Sequence, residues 1–473
     1  MNDFKLIALT LPGFGDPAVA IAASRAGGLG ILDLSFTPIN LASEALKNLA
    51  RYSSDGSGLR LDSFDTDLLD YFSTGLPITI STVILTYPTT KEQVYSFQAQ
   101  DCKVWLEVTS LDQLRHAEKW GVDGLIAKGQ EAGGWVGEET TFILLQHLVN
   151  ETSLPVYAQG WIGLHTVGAA YASGAAGAVL DSQLTLVKES RLPEYVKDVI
   201  RRMDGSETLR LNIENGHYCR IMNHPGAKAA KDLQKQIQSA EDKTLWREAI
   251  AEHVGWGSDK NNIWLLGQDA AFARSFAERF HTVGGVFQAI QSSLRQHIDT
   301  AKEHKPFREQ SPMAISHGTR YPIVQGPMTR VSDNAEFAYE VAKGGGLPFL
   351  ALALMRAPQV EQLLQETQKQ LAHLPWGVGL LGFVPLELRQ EQLEVIRKYK
   401  PPFAIIAGGR PDQASQLEQD GITAYLHVPS PGLLGLFLQD GTRRFIFEGR
   451  EAGGHIGPRT SFILWESMVQ TLI

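Results

Sequence analysis

Short runs of aliphatic residues alternate with amphipathic stretches along the first 190 residues of the chain. This alternation is typical of a parallel sheet whose strands are joined by crossover helices. It predicts strands near Leu6–Leu9, Gly30–Leu34, Gly58–Leu61, Ile78–Leu85, Val104–Val108, Gly124–Ala127, Val156–Gln159 and Ala178–Leu180. Eight strands are the number that closes a (β/α)8 barrel, so we expect one barrel here.

The same alternation returns after residue 311. It predicts strands at Ile323–Gln325, Pro348–Leu354, Val378–Phe383, Phe403–Ala407, Ala424–Val428 and Phe445–Glu448, followed by a helix over Ser461–Leu472. Six strands leave two parallel edges without a partner. The predicted fold class is α/β, with two tandem TIM (β/α)8-type barrels joined by a helical segment and the second truncated after about six strands. We therefore expect the chain to be a fragment of a longer polypeptide.

An internal repeat supports this duplication. The segment Glu131–Leu144 matches Glu451–Leu464 at nine of 14 positions, with a constant offset of 320 residues. Upstream, Asp16–Leu29 matches Asp333–Leu347 at nearly the same offset. Two matches in the same order indicate a duplicated domain.

The region between the copies is richer in charge and in helical periodicity, as in Leu233–Trp246 and Ala270–Phe280. We interpret it as a helical connector that ends in a Pro- and Ser-containing linker. The predicted domains are residues 1–190 (first barrel), 191–310 (helical extension and linker) and 311–473 (second, incomplete barrel).

Composition restricts the functional class. The formal net charge of -9 gives no basic footprint for a nucleic acid. Cys102 and Cys219 are the two cysteines, in unrelated contexts, so neither a disulfide framework nor a thiolate metal site is predicted. No apolar run approaches the length of a membrane helix. A cytoplasmic protein with no membrane and no nucleic-acid partner is expected.

Glycine-rich segments follow several predicted strands of the second copy. In (β/α)8 barrels the working residues come from loops at the carboxyl ends of the strands. These loops contain Gln325–Met328, Gly408–Arg410, Pro429–Pro431 and Gly449–His455. Successive glycines let backbone approach a flat or phosphorylated ligand, and His455 supplies an imidazole beside them.

These two motifs, Gln325-Gly-Pro-Met328 and Glu451-Ala-Gly-Gly-His455, resemble the signatures of the nitronate monooxygenase family. That family was once called the 2-nitropropane dioxygenases and includes flavin-dependent enoyl reductases. The resemblance covers residues 321–473 well and residues 1–226 more loosely, including Lys188–Ser190 and Cys219–Asn223. The second copy is also similar to versions found within large polyketide or fatty acid synthases.

The resemblance implies a non-covalently bound FMN and NAD(P)H as electron donor. It implies that His455 is catalytic, because an imidazole can transfer protons near neutral pH. The residues that it implies for cofactor binding are Gln325, Gly326, Pro327, Met328, Gly379, Glu448, Gly449, Gly453 and Gly454.

Both copies depart from the family pattern. In the second copy Glu448 stands where Gln is usual and Gly379 where Asn is common. In the first copy Trp135 replaces the histidine, Lys128 replaces the glutamine, and Asp181 occupies a phosphate turn. A carboxylate there would repel a phosphate, so we expect a first barrel that is non-catalytic or has lost FMN, or else a flavin site built from different residues.

Three functions remain open at this point. The first is an FMN-dependent module that reduces enoyl thioesters in polyketide or fatty acid synthesis, with an acyl carrier protein and other synthase domains as partners. The second is a nitronate monooxygenase that oxidises alkyl nitronates with O2. The third is a non-catalytic barrel scaffold within a multidomain synthase.

Purely structural interpretations of the same residues also remain open. The Glu-Ala-Gly-Gly segment could be a tight strand-to-helix connection, and His455 could be an ordinary exposed histidine. Gln325 and Met328 could be packing residues, while Arg410 and Arg450 could bind a phosphate or pair with carboxylates. The remaining histidines considered are interpreted as structural: His217, His224, His281 and His427.

Overall fold

The computed structural model describes residues 4–54, 56–214, 217–223, 228–239, 246–257 and 262–473. The chain divides into two compact units, Met1–Ile298 and Asp299–Ile473. The division falls inside one helix, α12 (Val283–His304). The domain boundaries predicted at residues 190 and 310 stay a prediction.

The first unit is an α/β structure. Its strands are β1 Lys5–Leu9, β2 Leu29–Asp33, β3 Ser57–Leu61, β4 Ile80–Thr86, β5 Lys103–Val108, β6 Gly124–Lys128, β7 Gly134–Val136, β8 Val156–Gln159, β9 Gly177–Leu180, β10 Thr208–Glu214 and β11 His217–Met222. Its helices before α12 are α1 Ala18–Arg25, α2 Ile39–Tyr52, α3 Thr66–Ser73, α4 Lys91–Gln98, α5 Leu114–Trp120, α6 Thr141–Glu151, α7 Val167–Ala172, α8 Glu194–Ile200, α9 Lys228–Ser239, α10 Trp246–Ala251 and α11 Ala273–Phe280.

Eight of these strands form a closed parallel barrel in the order β1-β2-β3-β4-β5-β6-β8-β9. Closure occurs where β1 pairs with β9, with Ile7 opposite Val179. The barrel interior is filled by alternating inward-facing side chains, including Trp105 stacked on Tyr157 at 4.2 Å between ring centroids. The prediction of eight strands and a closed barrel is confirmed.

The segment after the barrel contains more than helices. Strands β10 and β11 form an antiparallel hairpin, and β11 pairs with the short strand β7. The expectation of a helical extension and linker over residues 191–310 is therefore wrong for β10 and β11. The helix predicted at Leu233–Trp246 appears as α9 and α10, with residues 240–245 outside the described part of the chain.

The second unit is a curled parallel sheet with helices packed against it. Its strands, in the order β12-β13-β14-β15-β16-β17, are β12 Val324–Gln325, β13 Leu347–Ala351, β14 Gly377–Leu381, β15 Phe403–Ala407, β16 Thr423–His427 and β17 Phe445–Ile446. Its helices are α13 Pro312–His317, α14 Ala335–Lys343, α15 Ala357–Leu371, α16 Leu386–Tyr399, α17 Pro411–Gln419, α18 Pro431–Gln439 and α19 Ser461–Leu472. All five strand pairings are parallel, as the predicted half-barrel requires.

Apolar side chains cover both faces of this second sheet. One large cluster lies between the strands and helices α14 to α19, with Leu350, Val378 and Leu426 at its centre. A smaller cluster on the opposite face contains Phe349 and Phe403. Burial on both faces explains why these strands appear in the sequence as continuous apolar runs.

Candidate active sites at the two barrel mouths

The repeated Glu-Ala-Gly-Gly motif builds the same turn in both copies. Glu131 Oε1 accepts a hydrogen bond from Thr141 N at 3.0 Å, at the start of α6. Glu451 Oε2 accepts from Ser461 N at 2.8 Å, at the start of α19. Each carboxylate thus satisfies a free amide at a helix N-terminus, where negative charge is favourable.

The glycine two residues before each of these glutamates is required by close packing. A Cβ on Gly129 would lie 1.9 Å from Thr141 N, and one on Gly449 would lie 2.4 Å from Ser461 Cα. Both copies therefore have a tight strand-to-helix connection at this glycine, while the interpretation of the Glu-Ala-Gly-Gly glycines as residues that relieve crowding stays a prediction for the second copy. Gly449 is a structural residue of this turn.

The two later glycines of the motif differ between the copies. In the second unit, a Cβ on Gly453 or Gly454 would meet no atom within 4 Å, and the same holds for Gly326 after β12. These three positions present open backbone at the carboxyl end of the sheet. Met328 lies at the same end and is 41% exposed.

Two other predicted cofactor residues contact protein atoms. Gln325 Oε1 accepts from Phe349 N, and its Nε2 donates to Phe349 O, both at 3.3 Å. The Gln325 amide therefore joins β12 to β13. A Cβ on Gly379 would lie 2.2 Å from Pro327 Cβ, so the proline ring occupies the space that an asparagine side chain would need. This contact explains why glycine replaces the common asparagine.

A cluster of titratable groups lies near His455. The His455 ring packs against Phe383 with 4.8 Å between centroids. His427 Nε2, at the end of β16, lies 3.1 Å from Glu448 Oε2. Burial raises the pKa of Glu448, with the charge of His455 opposing that shift. Burial, and then the charge of His455, lowers the pKa of His427, so this buried imidazole is held neutral.

Sequence reasoning had interpreted His427 as structural, yet the fold brings it into this cluster. The signal was its position at the carboxyl end of a strand, the same rule that selected the neighbouring loops. Arg410 forms an ion pair with Asp412 at 2.8 Å, which is the carboxylate-pairing alternative for that residue. His224 lies outside the described residues, and for His217 only the backbone is described.

The mouth of the first barrel contains a buried ionic network. Arg60 Nη1 lies 2.9 Å from Asp33 Oδ2 and its Nε lies 2.8 Å from Glu107 Oε2. Lys128 Nζ lies 3.2 Å from Glu107 Oε1. Burial alone would raise the pKa of Glu107, but Arg60 and Lys128 lower it, so the carboxylate is ionised. These long side chains fill the barrel axis at the end where barrels of this type bind ligands.

Trp135, the counterpart of His455, contacts a second ion pair. Its indole Nε1 donates to Asp62 Oδ2 at 2.9 Å, and Arg247 Nη1 lies 2.9 Å from Asp62 Oδ1. The Arg247 guanidinium lies 4.9 Å from the centre of the Trp135 ring. Trp135 thus links the barrel to α10 and offers no proton to a ligand.

A covering segment, defined here as residues 262–269, lies on the glycines that are open in the second copy. A Cβ on Gly133 would lie 2.4 Å from Leu265 O. Gln268 N donates to Glu131 O at 2.8 Å, and Gly267 N donates to Ser182 Oγ at 3.0 Å. The segment is therefore fixed to the same loop that would face a cofactor.

Asp269, at the end of this covering segment, lies near the carboxyl groups of Glu131 and Asp181. Burial raises the pKa of Glu131 to about 7. Burial, with the nearby charges of Asp181 and Glu131, raises the pKa of Asp269 well above its usual range. Neither carboxylate oxygen of Asp269 has a hydrogen-bond partner among the described residues. Asp181 itself accepts from Gln159 Nε2 at 2.8 Å.

Comparison with known proteins identifies the class. Residues 66–268 match the family model described as nitronate monooxygenase. The chain is 28% identical over 220 residues to "(3aS,4S,5R,7aS)-5-hydroxy-7a-methyl-1-oxo-octahydro-1H-indene-4-carboxyl-CoA dehydrogenase" of Rhodococcus jostii (strain RHA1), covering 42% of this chain and 60% of that protein. It is 28% identical over 151 residues to "Probable nitronate monooxygenase" of Staphylococcus aureus (strain Newman), covering 29% and 42%. The resemblance to the nitronate monooxygenase family is thereby confirmed.

Solved structures show the same fold. FabK from Thermotoga maritima superposes with a TM-score of 0.54 at 22% identity, over 64% of this chain and 96% of that chain. The enoyl reductase domain of MlnA from Bacillus amyloliquefaciens superposes with a TM-score of 0.50 at 12% identity, over 63% and 96%. The chain spans 29 to 60% of the length of the curated relatives named above and of two similar ones.

The family match lies within the first unit, although the motifs that carried the resemblance in the sequence lie in the second. Among the described residues, no helix combines the length and the apolar character that crossing a bilayer requires. No group of three or more potential ligands within the described ranges could hold a metal ion.

The two units differ in how they fit the FMN that the family implies. At the first barrel mouth, between Trp135, Leu265 and the ionic network, the free space is about 20 Å³. This is enough for roughly one water molecule and far too small for a tricyclic ring. This part of the first mouth therefore does not fit the cofactor. In the second unit a Cβ on Gly326, Gly453 or Gly454 would meet no atom within 4 Å, so no protein atom at these positions blocks the approach of a flat ring.

Proposed function

We propose that this chain is an FMN-dependent oxidoreductase whose reaction site is the rim of the second unit, and that its first barrel is non-catalytic. The observation that carries this proposal is the contrast between the two copies of one loop. Gly453 and Gly454 are open beside an imidazole, whereas Gly133 is covered by Leu265 and lies beside an indole. Only the second arrangement leaves both space and a proton donor.

The reaction that we infer is reduction of the double bond of an enoyl thioester. FMN, when bound, supplies hydride chemistry, with NAD(P)H as the proposed donor. Gly326, Pro327, Gly453 and Gly454 would hold the ring. His455 would deliver a proton to the substrate carbon.

The neighbours of His455 suit this role. Phe383 packs on the imidazole and restricts its orientation. Burial raises the pKa of Glu448 and lowers that of His427, so it disfavours the charged form of both groups near His455, which suits an apolar acyl chain. The partner that this substrate class favours is an acyl carrier protein, which would bear the acyl thioester.

Nitronate oxidation is the second candidate. The name of the matching family model and of the Staphylococcus aureus relative favour it. In that reaction His455 would stabilise the nitronate anion instead of donating a proton to carbon. Anaerobic mixing separates the two candidates: loss of the yellow colour with NADPH supports the reductase, and loss only with an alkyl nitronate supports the monooxygenase.

The proposal is tested with the full chain loaded with FMN and assayed with NADPH and an enoyl thioester. We expect His455→Phe to lower turnover by about 100-fold or more while FMN is still taken up, because general acid catalysis typically contributes that much. His373→Phe, an exposed histidine in the same unit, is the matched control. A full chain that takes up no FMN would refute the proposal.

A further inference from the structure

The first unit contains a second cavity, which borders the filled barrel axis at Glu107 and Trp135. It has a volume of about 180 Å³ and lies between the ends of β4 and β5, strands β7 and β11, and helix α10. Four aromatic rings line it: Phe64, Tyr87, Trp135 and Tyr218. An apolar cavity of roughly 150 Å³ accepts a benzene ring, so this one has room for a ring with a small substituent.

We propose that this cavity binds a small, uncharged, flat aromatic compound that carries a carbonyl oxygen. The site goes beyond the proposed redox function because it lies in the barrel that we regard as non-catalytic. Aromatic walls favour a flat ring through offset stacked and edge-to-face contacts, which add to the effect of apolar burial.

The walls of the cavity are fixed in advance. Tyr87 stacks on His116, with 5.7 Å between centroids and an angle of 28° between the rings. The Tyr218 hydroxyl donates to Glu138 at 2.9 Å. The indole of Trp135 is likewise held by Asp62. The residues that hold these three rings do not themselves line the cavity. Rings held in place before binding lose little freedom when a ligand arrives, which strengthens binding.

The charges at the cavity favour a neutral ligand. Glu107 and Arg247 are the charged residues among those that line it. Glu107 is paired with both Arg60 and Lys128, and Arg247 is paired with Asp62. A charged ligand would have to lose its hydration without gaining an unpaired counter-ion, which is unfavourable.

Thr109 explains the preference for a carbonyl group. Its Oγ1 accepts a hydrogen bond from Gln113 Nε2 at 3.2 Å, and its backbone N donates to Gln113 Oε1 at 2.8 Å. A hydroxyl has one hydrogen and two lone pairs, so the Thr109 hydroxyl still has its hydrogen to donate. No acceptor for that hydrogen is found among the described residues.

The test uses acetophenone as probe and cyclohexyl methyl ketone as its non-aromatic match. Binding to the full chain is measured by saturation-transfer NMR titration without FMN or substrate. We expect acetophenone to bind at least threefold more tightly than the cyclohexyl ketone. Equal binding of the two ketones, or no saturation with acetophenone up to about 10 mM, overturns the proposal.

Variants locate the bound probe. Phe64 is 50% exposed, so Phe64→Leu should fold, and we expect it to weaken acetophenone binding about threefold to tenfold through loss of one ring contact. Thr109→Val should weaken binding of the ketone while leaving the protein folded. Tyr95→Leu, which removes a 48% exposed ring on α4 outside the cavity, is the control and should leave binding unchanged. If Tyr95→Leu and Phe64→Leu weaken binding equally, the probe binds elsewhere.

Discussion

The buried carboxyl group of Glu131 should make the first unit less stable as the pH rises. Its pKa is raised by burial from 4.5 in a free side chain to about 7 in the folded protein. Between these values the folded state binds a proton that the unfolded state has released, so stability falls with rising pH across this window. This difference in pKa lowers the free energy of unfolding by about 3 kcal/mol at pH values above 7, compared with acidic pH.

Glu131→Gln removes the titration and retains the contact. The amide oxygen of glutamine can still accept the hydrogen bond from Thr141 N. The variant should therefore match the unchanged protein in stability near pH 5 and exceed it by up to about 3 kcal/mol near pH 8.5. The measurement is urea unfolding at both pH values. Unfolding is monitored through the hydrogen exchange of the β6 and α6 amides, so that only the first unit is observed.

The matched control is Glu451→Gln, the equivalent position in the second unit. Because Glu451 is exposed and lies in the other unit, this substitution should leave the hydrogen exchange of the β6 and α6 amides unchanged at both pH values. The reasoning is refuted if the unchanged protein and Glu131→Gln lose stability equally between pH 5 and pH 8.5. That result would mean that the carboxyl group is ionised in the folded state despite its burial.

Three further predictions concern packing and reactivity. Arg60→Met should destabilise the first unit by about 3 to 5 kcal/mol in urea unfolding, since buried Asp33 loses its cation and buried Glu107 loses one of its two. Arg356→Met at an exposed ion pair should cost under about 1 kcal/mol. Gly133→Ala should destabilise by about 1 to 3 kcal/mol because its Cβ would lie 2.4 Å from a carbonyl oxygen, while Gly453→Ala should stay within about 0.5 kcal/mol; equal effects would contradict the contrast between the copies. Burial raises the pKa of the Cys219 thiol, so a thiol reagent should label it only after unfolding, as mass spectrometry of the modified peptides would show.

The barrel could be predicted from the sequence because its strands are buried on both faces. Each strand therefore forms a short continuous apolar run, and the predicted Val156–Gln159 and Phe403–Ala407 agree with the structure at both ends. The repeat at residues 131 and 451 fixed the correspondence between the copies. Local patterns of this kind are sufficient to predict a fold in which strand and helix alternate in a regular order.

The hairpin of β10 and β11 was missed although a signal was present. The sequence places Asn215-Gly216 between two runs of alternating polar and apolar residues, which is a strong indication of a hairpin. The high charge of the surrounding region favoured the helical interpretation instead. Its pairing with β7 could not be predicted, because that contact joins Cys219 to Trp135 across a long stretch of chain.

The duplicated loop shows what a motif can and cannot predict. Glu131 and Glu451 bind the first turn of the next helix in the same way, so nine shared positions reproduce one local structure in both copies. The surroundings of the loop differ, because contacts from distant residues decide whether the glycines are open. Leu265 covers Gly133 from more than a hundred residues further along the chain, and no pattern within the motif records that contact. It follows that, in this chain, residues outside the motif decide whether its glycines are open to a ligand.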